Sequence, residues 1–102
     1  MELSPMELFQ KEAPECAAAF NSLIQLLIAR EGLDQKTKQL IYIAMKTAMG
    51  DDRAVRAHLP MAKALGATRE EMVDAVLLTL TVSGISGVLK VLPHIVEMYD
   101  TK

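Results

Sequence analysis

Apolar residues recur along this chain at helical spacing and show no strand-like alternation of any length, which predicts an all-α fold of five or six helices. Ser4 followed by Pro5 opens a first short helix, with a cap residue, a proline at the first helical position and Glu7 in the first turn. That helix should stop near Ala13, because the residue before Pro14 is pushed out of the α region. A longer helix then runs over about 14–30, with Phe20, Leu23, Ile24, Leu27 and Ile28 as its apolar stripe, and Gly32 ends it.

Three helices follow from punctuation. They open at Asp34, at Asp51 or Asp52, and at Thr68, and Gly50 and Gly66 close the first two in the left-handed position after the last turn. Thr68 with Glu71 makes a capping box. Between about 35 and 49 the apolar positions Leu40, Ile41, Ile43, Ala44, Met45 and Ala48 cover more than one face, so this helix is expected to be buried on two sides, against its own core and against a neighbour. The next, about 52–65, is the most polar and contains Pro60, which removes the hydrogen bond to the carbonyl of Arg56 and should bend it. A helix over about 68–82 carries Met72, Val73, Val76, Leu77 and Leu80; a break at Ser83 to Gly87 precedes a last helix from Ser86 or Val88 to Tyr99.

The order L-D-x-K-T-K-x-L-I-x-I-A-M, a short charged helix ending Ala57-His58-Leu59, and A-x-x-x-G-A-T-R-E-E-M together resemble the carboxymuconolactone decarboxylase family, which includes the alkyl hydroperoxide reductase D proteins. The likeness runs over roughly 33–96. It implies a helical-hairpin core that pairs with further copies, as a trimer or hexamer. Redox members of that family carry a Glu on the first of these helices and Cys-x-x-Cys-x-x-x-His on the second. With His58 on the family histidine, Asp51 and Ala54 stand where the cysteines belong and Gln39 where the Glu belongs. The cysteine-free branch, the γ-carboxymuconolactone decarboxylases, also lacks the thiol pair and is the more similar one.

Composition narrows the function classes. The 102 residues are read as a single domain, 1–102, of modest core. Hydrophobic residues make up 51% and aromatics 4%, more aliphatic surface than a lone small domain hides well, which favours a homo-oligomer. Eleven basic against thirteen acidic residues give a net charge of -2 without a basic block, so nucleic acid is not an expected partner. The uncharged run 75–89 is too short for a bilayer span and is read as buried against protein, so no membrane is expected. Cys16 is the only cysteine and is read as a small packed residue, with a reactive thiol in the first turn of its helix as the alternative; one cysteine and an N-terminus unlike a signal peptide point to a reducing cytoplasm.

His58 is the first choice for chemistry, for it titrates near neutrality and has Arg53, Arg56 and Lys63 near it in sequence. Cations disfavour its protonated form, which would leave it a base at pH 7; the competing reading is a surface or interface histidine without a task. Gln39 orients a substrate or His58, or is a solvated first-turn residue; it exchanges no proton. Asp51 and Asp52 read as helix caps, with a proton relay through Asp51 as the alternative. Arg53 and Arg56 are either a solvated face or the partners of an anionic substrate. His94 has no companions in sequence. Two distant histidines and one cysteine make a poor metal set, and seven scattered methionines read as core filler.

The family resemblance implies a cofactor-free lyase acting on a small carboxylated lactone, with His58 as general acid or base, Gln39 beside it, Arg53 and Arg56 on substrate carboxylates, and no metal or organic cofactor. The alternative is a re-purposed, non-catalytic oligomer that binds a small acid. A thiol-disulfide partner like alkyl hydroperoxide reductase D would need a second cysteine.

Overall fold

The computed structural model describes residues 2–101. Among them the chain is helical without strands: α1 (Pro5–Glu12), α2 (Pro14–Ala29), α3 (Gln35–Ala48), α4 (Asp52–Ala64), α5 (Arg69–Leu78), a single turn α6 (Leu80–Ser83) and α7 (Ser86–Asp100). Six of these are full helices, as the spacing predicts. Contacts divide the chain into two compact units, Met1–Gly32 and Leu33–Lys102.

In the first unit α1 and α2 pair, with Phe9 and Phe20 edge to face at 6.2 Å between centroids. Ser4 caps α1 through a complete capping box with Glu7. The stripe expected to be buried on α2 is largely open: Phe20, Leu23, Leu27 and Ile28 are exposed and Ala17 is its one buried residue. The eight-residue α1 is too short to cover the apolar face of the sixteen-residue α2. Cys16 is exposed as well, against the expectation of a packed residue.

The second unit holds the core. Ile43 of α3, Val55, Leu59 and Ala62 of α4, Met72 and Val76 of α5, and Val88, Val91 and Ile95 of α7 form one buried cluster. Each of the larger of these side chains contributes on the order of 1.5–3 kcal/mol of burial, and Ala62 less. Helices α3 and α4 make a hairpin through Gly50, whose φ of 75° lets Gly50 N–H reach Thr47 O at 2.9 Å and Asp51 N–H reach Lys46 O at 2.9 Å. Asp51 then turns its side chain to cap the next helix, accepting from Ala54 N–H at 3.1 Å. Gly66, at φ 95°, ends α4 in the same way, with Ala67 N–H on Ala62 O at 3.0 Å. Pro60 does not terminate α4, which runs through it to Ala64.

Helix α7 comes unusually close to α3. A Cβ placed on Gly87 would lie 2.0 Å from the backbone oxygen of Thr47, so the sequence position is glycine because no other side chain fits. The helix expected over 68–82 is divided instead at Thr79, whose hydroxyl donates to Val76 O at 2.7 Å and whose side chain is buried. The backbone tightens there, with Thr79 N–H on Val76 O three residues back at 3.1 Å, and apolar spacing does not report it. Along the uncharged run, Leu78, Val82, Ile85 and Leu89 are exposed on this chain rather than buried in it. Among the described residues no helix is long and apolar enough to cross a membrane.

Candidate functional site

Helix α3 presents Gln39, Tyr42 and Lys46 at i, i+3 and i+7, which is one face of a helix. The hairpin at Gly50 folds α4 back along α3 and brings His58 over that face. The imidazole Nδ1 of His58 lies 2.9 Å from Oε1 of Gln39. An amide oxygen only accepts, so Nδ1 carries the proton and donates; in the neutral ring the lone pair is then on Nε2. That contact does not engage the NH2 end of Gln39.

Tyr42 lies against the imidazole, with ring centroids 4.2 Å apart and planes tilted by 38°. It covers one face of the ring and limits its rotation. Lys46 stands over the Tyr42 ring at 5.7 Å and pairs with Asp51 at 3.5 Å. Burial comes first, and the Lys46 ammonium second, in holding the His58 pKa below its ordinary value. The direction agrees with the sequence expectation of a neutral base; the cation named as the cause is on α3 instead of α4.

The other expected site residues fall elsewhere. Arg53 and Arg56 are exposed, and helical geometry at about 100° per residue turns them roughly 140° and 160° away from His58. Asp51 both caps α4 and holds Lys46, which ties the start of α4 to the α3 face. His94 has a companion that sequence proximity did not offer, with Nε2 3.7 Å from Asp52 Oδ2. Among the described residues no group of three or more histidines, cysteines or carboxylates is placed to share a metal ion.

Tyr42 and Lys46 were missed by the sequence reading. The signal was present, since they stand three and seven positions after Gln39, but Tyr42 sits inside a run of aliphatic residues and Lys46 reads as a last-turn cation complementing the helix dipole.

Comparison with known proteins adds two findings. The sequence model of the carboxymuconolactone decarboxylase family matches residues 14–95. An uncharacterized protein of Methanocaldococcus jannaschii is similar, at 27% identity over 93 residues that span 91% of this chain and 87% of the relative.

Proposed function

The chain belongs to the carboxymuconolactone decarboxylase family, and from that premise we propose that it is a cofactor-free carboxy-lyase for a small carboxylated lactone, with His58 as the proton carrier. The observation that carries this reading is the 2.9 Å contact of His58 Nδ1 with Gln39, which leaves Nε2 as the nitrogen that exchanges protons. In the reaction the bond from ring carbon to carboxylate breaks and CO2 departs. The electron pair passes into the conjugated lactone, whose carbonyl oxygen takes the charge. The Lys46 ammonium and the Gln39 NH2 are the donors suited to that oxygen. Nε2 of His58, unprotonated in the resting ring, takes up a proton from solvent as the negative charge develops on the lactone, delivers it to carbon and returns to the neutral ring, so a carboxylate and a proton become a C–H bond and CO2. The lactone is its own electron sink, and for that reason neither a metal nor an organic cofactor is needed.

Lys46 replaces Arg53 and Arg56 as the cation of the site in this reading, since it is on the face that His58 covers. Self-association belongs to the same proposal: Ile41, Met45 and Met49 make an exposed stripe on α3, and a second copy in a trimer or hexamer would cover it. Analytical ultracentrifugation gives the number of copies. A second reading, a member that binds a small acid without turning it over, is supported by Gln39, which has no proton to exchange where the redox members have a carboxylic acid.

The test is turnover of γ-carboxymuconolactone followed in the ultraviolet, with thermal shift recorded on the same samples. The proposal expects turnover that falls about 100-fold or more in His58→Ala. A thermal shift without turnover would transfer the case to the binding reading, and full activity in His58→Ala would overturn the role of His58.

A further inference from the structure

A second place where opposite charges converge lies between α4 and α7, away from the His58 face. Arg56, Leu59 and Pro60 stand at i, i+3 and i+4 on α4; His94, Glu97, Met98 and Thr101 stand at i, i+3, i+4 and i+7 along α7. The two stripes line an open surface cleft of about 410 Å³, room for a small molecule that stays partly exposed to solvent. Leu59 is almost fully buried and Met98 partly so; with Pro60 they give the cleft an apolar side. Arg56 and Pro60 are each two residues from His58, so about 160° round the helix from it, and the cleft shares no residue with the Gln39, Tyr42, Lys46 and His58 cluster.

The charges set the ligand class. Arg56 and Glu97 both line the cleft, yet no ion pair or hydrogen bond joins them among the described residues, whereas exposed pairs such as Arg69 with Asp100 close to 2.9 Å on the same unit. A cation and an anion that line one cleft with apolar residues, without pairing to each other, complement a molecule that carries both charges and an apolar body. We propose that the α4–α7 cleft binds a small zwitterion, an α-amino acid with an aliphatic side chain, at a site separate from His58. The guanidinium of Arg56 takes the carboxylate, for which its planar fork is suited, and Glu97 takes the ammonium. The side chain lies on Leu59, Pro60 and Met98. His94 borders the cleft, and its Nε2 lies 3.7 Å from Oδ2 of Asp52, one turn before Arg56 on α4. A simple acid leaves Glu97 without a partner and a simple amine leaves Arg56 without one, so each should bind more weakly than the zwitterion.

The probe is L-leucine, titrated into the uniformly 15N-labelled full chain and followed by nuclear magnetic resonance. Two comparators remove one charge each, 4-methylpentanoate the ammonium and 3-methylbutylamine the carboxylate. The proposal expects saturable shifts along the α4 and α7 stripes at millimolar concentration, with both comparators about tenfold weaker or more. Arg56→Gln and Glu97→Gln, both surface changes that should leave the melting curve in place, each weaken leucine about tenfold, while His58→Ala leaves leucine binding as it was. That last variant separates this site from the proposed lyase site, whose failure would not touch it. Absence of saturable shifts, equal binding of the acid or the amine, or indifference to both glutamine variants would overturn the proposal.

Discussion

Replacing Gly87 by alanine sets two effects of opposite sign against each other, and the structure decides which wins. Gly87 is near the start of α7, where alanine would ordinarily gain up to about 1 kcal/mol of helix propensity. Its Cβ, however, would stand 2.0 Å from Thr47 O, 3.0 Å from Thr47 C and 3.4 Å from Thr47 Cγ2. The obstacle is backbone, and Thr47 is fully buried with its hydroxyl donating to Ile43 O at 2.7 Å, so it has no room to give. Helix α7 must therefore withdraw from α3 by about 1 Å or more, loosening Val88 and Val91 against Ile43. Overpacking of this kind costs about 1–3 kcal/mol and sometimes more, and a clash with backbone belongs at the upper end. The net loss is about 2 kcal/mol, a fall in Tm of roughly 8–16 °C for a chain of this size. Gly32 is the control: its Cβ would meet nothing within 4 Å, and Gly32→Ala should be neutral or stabilise by up to about 1 kcal/mol. Thermal unfolding followed by circular dichroism, at one fixed protein concentration, reads both. A Gly87→Ala chain that melts at or above the wild-type temperature would refute the close approach of α3 and α7.

Three further outcomes are expected. Gln39→Glu puts a carboxylate beside His58 and should raise its pKa by about one unit or more, read from the ring C–H signals in a proton titration; an unchanged value would mean the two side chains are not in contact in solution. Because the folded-state pKa of His58 is depressed, the unfolded chain binds more protons there, so stability is full above about pH 6.5 and declines as pH falls from there toward the folded value. Urea unfolding at a series of pH values should show that limb in the wild type and lose His58's share of it in His58→Gln. Tyr99→Phe removes the hydroxyl that donates to Ala67 O at 2.5 Å, next to the turn between α4 and α5, and should cost about 1 kcal/mol of unfolding free energy.

What the sequence made legible was the local chemistry of helix ends. Asp34, Asp51 and Thr68 cap as expected, and Gly50 and Gly66 take the positive φ that ends a helix, because each of those decisions is settled within four residues. Gln39 stays open in the sequence between orienting a substrate or His58 and a solvated first-turn position, and it is the 2.9 Å contact in the fold that sets it beside His58. What stayed hidden depends on the third dimension. The break at Thr79 is a turn tightened onto Val76 O, the glycine at 87 is a distance between two helices, and the cation near His58 comes from the neighbouring helix. Arg53 and Arg56 are attractive as site residues for being near His58 in sequence, yet five and two residues along a helix turn them about 140° and 160° away from it.

The account turns on one nitrogen, and a long-range 15N–1H correlation spectrum of the histidines near neutral pH observes it directly. The arrangement of His58 and Gln39 predicts that His58 is neutral at pH 7 with its proton on Nδ1 and an unprotonated Nε2, and that its pKa lies below the ordinary 6.5. A ring protonated mainly on Nε2, or a pKa at or above 6.5, would contradict it.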